Sequence, residues 1–298
     1  MSASAGAEQP TDPTDPRDAT DSAGASAAQE HPKTGRNLPL AIAVGVGIGG
    51  VALICMFTAK WLFVGFAAFV ILLGVFELVN AFKQAGVYLT RTPLYIGVVA
   101  MSVCAYVWGV TALVVVFGFL VVAILMWRIR LGTVGYVKDI TASMFVAAYL
   151  PFMLGFAMLT FAYPNGAQRI VTFVALTISS DIGGYFAGTA LGKHPIAAKV
   201  SPKKSWEGFV GSVVTQAAVG AWLFVWLLGA PWWQGVITGM VMTVTATAGD
   251  FAESAIKRDL GVKDMSHLIP GHGGVMDRLD SLVPNAFVSW AMFTWFLG

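Results

Sequence analysis

From Leu38 onward the sequence is a succession of apolar runs separated by short polar punctuation. The runs cover residues 38–58, 61–82, 92–109, 111–127, 140–162, 169–190, 207–229, 232–256 and 277–297. Each is long enough, as a helix rising ~1.5 Å per residue, to cross ~30 Å of hydrocarbon or most of it. The pattern predicts an all-α, polytopic transmembrane bundle of about nine helices, with a boundary between the third and fourth at Trp108–Gly109. Residues 1–37 are of different material. Pro10, Pro13, Pro16 and Pro32 stand among many Ala and Ser, with six acids against three bases. Such a segment buries too little apolar area to offset its ordering entropy, and a disordered tail without signal-peptide character is expected. The organisation expected is a tail at 1–37, scaffold helices over 38–162, and a catalytic membrane region over 163–298 with polar loops at 191–206 and 257–276.

Composition agrees with the pattern. The 298 residues are 57% hydrophobic and 11% charged, with mean hydropathy +0.73, far from the quarter of charged residues in a soluble domain. Cys55 and Cys104 lie inside apolar runs and read as small buried hydrophobes. The net charge of +2 says little, but its distribution fixes an orientation. With the tail inside, sixteen of the eighteen Lys and Arg fall on the inner side, and Lys60 and Arg169 alone on the outer. An odd helix count then leaves Gly298 outside. The expected location is the cell membrane, with the tail and both polar loops cytoplasmic.

Acids locate the chemistry. Outside the tail there are ten, and eight of them lie between residues 181 and 280. Glu77 stands near the inner end of its helix, where it can reach the interface, and Asp139 falls in a polar connection; neither receives a role. Asp181 stands roughly mid-span, where an aspartate costs about 2.5–3.5 kcal/mol on insertion scales. It should face the bundle interior or a watery cavity as a supporting member of a polar site. Gly184, Gly188 and Gly192, repeating every four residues, offer a smooth face for a neighbouring helix. On the eighth helix Asp250, Glu253, Ser254 and Lys257 share one stripe, and on the ninth Asp277 and Asp280 share one face. Carboxylates from two helix ends so converging would suit one Mg²⁺ keeping several waters, or two such ions about 3.5–4 Å apart. Intramembrane salt bridges, Asp250 with Lys257 or Asp280 with Arg278, would explain some of these charges but leave no reason for gathering so many. There is no P-loop, dinucleotide fingerprint or zinc-type spacing, and nothing suggests a nucleic-acid partner.

Two stretches carry a family resemblance. In residues 254–280, Ser254, Lys257-Arg258, Lys263-Asp264, Pro270, His272-Gly273-Gly274, Asp277-Arg278 and Asp280 follow without a gap. This resembles the signature of phosphatidate cytidylyltransferases. Ser201-Pro202-Lys203-Lys204-Ser205-Trp206-Glu207-Gly208 is similar to a second element of the same family, and within it Ser205 is placed to cap the next helix. The resemblance implies transfer of CMP from CTP to phosphatidic acid, with membrane lipid as the surrounding partner; a homodimer stays open. It implies Mg²⁺ at Asp250, Glu253, Asp277 and Asp280. Ser254, Lys257, Arg258, Lys263, His272, Gly273, Gly274 and Arg278 would hold the triphosphate. Ser201, Lys203, Lys204 and Ser205 would hold either substrate's phosphates. The rivals are a CTP-dependent transferase or kinase acting on another lipid, and a proton-coupled transporter. A transporter should repeat its charges in both halves, and this chain does not.

If the tail is passive, deleting residues 2–30 should leave phosphatidate-dependent CTP turnover in micelles near that of the full chain. A loss above about tenfold with unchanged folding would give the tail a role.

Overall fold

The computed structural model describes residues 38–197, 200–266, 268 and 273–298, with the side chains of 38–42, 202 and 203 outside the description. Its helices are α1 (Leu38–Thr58), α2 (Lys60–Gln84), α3 (Arg91–Ile129), α4 (Tyr136–Ala147), α5 (Met153–Ala162), α6 (Gly166–Leu191), α7 (Trp206–Trp226), α8 (Trp232–Asp259), α9 (Met276–Leu279) and α10 (Leu282–Leu297). Among the described residues six helical stretches are long and apolar enough to cross a membrane: α2, α3, α4 through α5, α6, α7 and α8. Large apolar side chains point outward, as at Phe119, Trp226 and Trp295, while Gln216, Thr243 and Asn285 are buried. That inversion of the soluble pattern is what lipid selects, and this is a membrane protein.

Helix α3 holds the doubtful boundary. Its 39 residues would run ~58 Å if straight, about twice a hydrocarbon core. At Gly109, however, φ is 80° and ψ −163°, outside any helical conformation. Residues on the two sides of this point meet: a Cβ at Gly97 would lie 2.5 Å from Leu120 Cδ2. Twenty-three residues of straight helix would hold those positions ~34 Å apart, so the chain turns back at Gly109. The predicted division of residues 92–127 therefore stands. Helices α4 and α5 are continuous through a π-turn at Ala148–Phe152 around Pro151, whose missing N–H breaks the regular ladder.

Helices α6, α7 and α8 pack through glycine. Gly188 faces the Gly208 Cα, Gly184 faces Ser212, and Gly220 and Gly235 abut each other's backbone. Close approach lets short polar side chains reach across: Ser212 Oγ donates to the Ser180 carbonyl at 2.7 Å and Gln216 Nε2 to the Leu176 carbonyl at 2.7 Å. Thr243 Oγ1 donates to Gln216 Oε1, and Asn285 Nδ2 to Thr177 Oγ1 at 3.1 Å, tying α10 to α6. With no water at this depth, each such group needs a protein partner.

Two expectations change. Residues 191–206 are not a plain loop but hold an antiparallel hairpin, β1 (Pro195–Ala197) and β2 (Ser201–Ser205). Asp139 is not in a solvated connection; it is 3% exposed. Its Oδ2 pairs with Arg128 Nε at 2.9 Å and its Oδ1 accepts from the Tyr88 N–H at 2.9 Å. Arg128 also donates to the Gly132 and Val134 carbonyls, so one buried pair gathers two connections, α2 to α3 and α3 to α4. Cys55 and Cys104, expected to be buried, are half-buried free thiols.

Gly109→Val should be severely destabilising, since a β-branched residue at that φ and ψ carries strain on the order of 1–3 kcal/mol. A lowered melting temperature in detergent, with no such change for Gly118→Val on the same helix, would verify the turn.

Candidate active site

The site grows from three contacts between helix ends. Gly249, on α8, has no side chain, and a Cβ there would lie 2.7 Å from Pro284 Cγ. This lets α8 lie directly against the start of α10 and sets Asp250 beside Asp280. Ser281 Oγ donates to Asp250 Oδ1 at 2.6 Å, and the Ser281 N–H donates to Asp280 Oδ1 at 2.7 Å. From the hairpin, Lys204 Nζ reaches Asp250 Oδ2 and lies 5.1 Å over the Phe251 ring. Lys204, Asp250 and Asp181 line one cavity of about 220 Å³ between α6, the hairpin, α7 and α8. Asp181 thus faces a cavity, as the sequence led one to expect, and the glycine face beside it packs on α7.

One turn further along α8 stands a second unit. Lys257 Nζ lies 2.5 Å from Glu253 Oε2 and 2.8 Å from Asp277 Oδ1. Each unit therefore has two carboxylates and one lysine. Lys257 pairs with Glu253 and Asp277 rather than Asp250, and Asp250 takes Lys204. Glu253 is 1% exposed, and its Oε1 has no partner. An orphaned acceptor beside crowded carboxylates is what a hard cation with oxygen ligands would satisfy. Among the described residues no three His, Cys, Asp or Glu side chains form a closed metal cage.

The signature loop is held by carboxylates at its base. Asp277 Oδ2 accepts from the Gly274 N–H at 3.0 Å and the Met265 N–H at 3.3 Å. Glu77, on α2, accepts from the Val275 N–H at 2.8 Å and the Met276 N–H at 2.7 Å, and Ser266 Oγ donates to it as well. Gly274 lies between the two acids, where a Cβ would stand 2.9 Å from Asp277 Oδ2 and 2.9 Å from Glu77 Oε2. Gly273 has φ 85°, a region that favours glycine. Both glycines of the signature are thus explained by the fold of the loop itself. The second loop is closed in the same way. Ser205 caps α7 by accepting from the Gly208 N–H at 3.2 Å. Glu207 accepts from the N–H groups of Lys193 and His194 and meets His194 Nδ1 at 2.6 Å.

Of the residues singled out from sequence, Asp181, Lys204, Ser205 and Asp250 line the cavity, with Asp280 beside Asp250. Glu253, Lys257, Gly274 and Asp277 form the adjoining unit, with Gly273 next to it. Ser254 is half-buried, Arg258, Lys263 and Arg278 are exposed, and Ser201 begins β2. The Lys203 side chain and His272 lie outside the described residues. Sequence reasoning missed two residues of the first half. One is Glu77, 1% exposed, for which an acid inside an apolar run was the available signal. The other is Tyr149 in the π-turn. Its buried hydroxyl has no partner and lies in the field of Glu253, Asp280 and Asp250. No sequence signal marks it.

Known proteins complete the picture. A phosphatidate cytidylyltransferase of Mycobacterium leprae is 38% identical over 279 residues, covering 88% of this chain and 89% of its own length. One of Mycobacterium bovis is 35% identical over 280 residues, covering 90% and 92%. One of Brucella suis is 40% identical over 141 residues, covering 45% of this chain and 52% of its own. The sequence model of the cytidylyltransferase family matches residues 40–296, a span that takes in every site contact described above, and the chain belongs to that family.

Proposed function

We infer that this protein is a phosphatidate cytidylyltransferase, joining CTP and phosphatidic acid to give CDP-diacylglycerol and pyrophosphate. The observation that carries the reading is the match to enzymes of that name along about nine-tenths of the chain. It is joined by a site whose composition suits two anionic substrates. A phosphatidate phosphate oxygen attacks the α-phosphorus of CTP, the bond from that phosphorus to the bridging oxygen breaks, and pyrophosphate leaves. The nucleophile is already an anion, so no general base is required, and the residues act by positioning and by neutralising charge. Lys204 and Lys257 stand in the two carboxylate units, and the exposed Arg258, Lys263 and Arg278 extend the positive field toward the loop face. Together they lower the repulsion between a triphosphate and a lipid phosphate. Asp250 and Asp280 would hold Mg²⁺, and the unpartnered Glu253 Oε1 is a further candidate ligand. Asp277, which already accepts three hydrogen bonds, is better suited to shaping the loop. When bound, Mg²⁺ would supply charge neutralisation on the phosphates. In this reading the lipid substrate approaches laterally from the bilayer and the nucleotide from the side of the polar loops. The distribution of Lys and Arg favours a cytoplasmic face for those loops in the cell membrane.

Labelled CTP incubated with phosphatidate and purified protein in detergent should yield CDP-diacylglycerol; hydrolysis without lipid product, or no turnover, would defeat the assignment. Asp280→Asn should lower kcat by about 100-fold or more even at saturating Mg²⁺. Its melting temperature should hold or rise, because one of two abutting like charges is gone. Full turnover in this variant would remove Asp280 from the metal site.

Orientation is testable in whole cells. With Cys55 and Cys104 replaced, single cysteines at the exposed positions 264 and 298 meet a membrane-impermeant thiol reagent. Position 298 should react and 264 should be spared. Reaction at 264 from outside would overturn the cytoplasmic site.

A further inference from the structure

The contacts made by Glu77 have a direction. Both of its oxygens are engaged by donors from one stretch of chain, 189 to 199 residues away: Ser266 Oγ, the Val275 N–H and the Met276 N–H. Asp277 takes the Met265 and Gly274 N–H groups. Two carboxylates, one from α2 and one from the loop's own exit, therefore tie together the points where the signature loop leaves and rejoins the bundle. Val275 and Met276 begin the short helix α9 that carries Asp277 and, one residue beyond its end, Asp280. An anionic group accepting from the first N–H groups of a helix fixes the start of that helix in space. Here the fixed start decides where Asp277 meets Lys257. A cavity of about 490 Å³ adjoins this clamp, lined by Asn80, Lys83, Met265 and Ser266 among others.

We propose that Glu77 is a positioning residue of the transfer reaction. From α2, its carboxylate sets the base of the signature loop so that Asp277 and Lys257 stand in register with Asp250 and Asp280. This rests on the function proposed above. It assigns the scaffold half of the membrane region a direct part in the geometry of the site, through the backbone of the loop rather than through substrate.

The test uses the full chain in micelles, as wild type, Glu77→Gln and Ser266→Ala. Glu77→Gln keeps the size of the side chain but turns an amide N–H₂ toward backbone N–H groups. Expected for it are a fall in kcat/KM for CTP of about tenfold or more, mostly in kcat, and a melting temperature within a few degrees of wild type. Deuterium uptake should quicken at the amides of 265–266 and 274–276 and nowhere else. Ser266→Ala should move the same readouts in the same direction, by less. Unchanged kcat/KM per folded molecule would overturn the proposal, as would a melting temperature lowered together with uptake raised throughout the bundle. If Glu77→Gln does not fold, Ser266→Ala decides, and unaltered uptake and kcat/KM in it refute the clamp. If the wild type itself makes no CDP-diacylglycerol, the functional reading fails instead. Local deuterium uptake in Glu77→Gln then tells whether the clamp exists.

Discussion

A carboxylate at the mouth of a membrane bundle persists only where donors meet it, and here the donors come mostly from loops. Asp139 takes Arg128 and the Tyr88 N–H, and Glu207 takes the Lys193 and His194 N–H groups. Glu77 and Asp277 divide the base of the signature loop between them. The requirement works in both directions. Each buried charge loses water and must recover hydrogen bonds, and each loop at the membrane surface has N–H groups with no ladder to join. Joining the two needs fixes the backbone at the points where these donors are held.

The acids that remain for chemistry are those this arrangement leaves crowded. Asp250 and Asp280 stand together with one lysine, Lys204, and Glu253 and Asp277 with another, Lys257. Each unit sets two carboxylates against one lysine, and Glu253 keeps a buried oxygen with no hydrogen-bond partner. Such grouping is unfavourable for an empty protein and favourable for one that receives a divalent cation with a nucleotide. The stiffness needed to hold it comes from elsewhere. Glycine contacts between α6, α7 and α8, the Gln216 and Thr243 bond, and Asn285 on α10 hold these helices together.

Much of this was legible beforehand. Apolar runs reveal helices because lipid imposes the same demand on every one of them, and Gly109 between two runs was enough to divide α3. The stripe of Asp250, Glu253 and Lys257 follows from helical periodicity alone. What the pattern could not show is which ends meet. That Lys204 answers Asp250, and that Lys257 answers Asp277, depends on the hairpin of residues 195–205 and on the missing side chain of Gly249. Neither is written in hydrophobic periodicity. Gly274 shows the same limit. The pair Gly273-Gly274 is visible in the sequence as an allowance for close approach. The approaching groups are two carboxylates of the protein itself, one of them from α2.

The division of the chain into scaffold and catalytic halves therefore describes where the charges lie and not how the site is built. Between residues 38 and 138 Glu77 is the one acid, and it is fully committed to the signature loop. Tyr149 comes from a π-turn, a local irregularity that re-aims a side chain, and brings an unpartnered hydroxyl into the field of three carboxylates. Both contributions come from helices that otherwise only pack. A site for two anionic substrates has to be held from several sides, because like charges drive its own members apart. The acids and lysines of the second half supply the charge, and the first half supplies constraints that keep that charge in place.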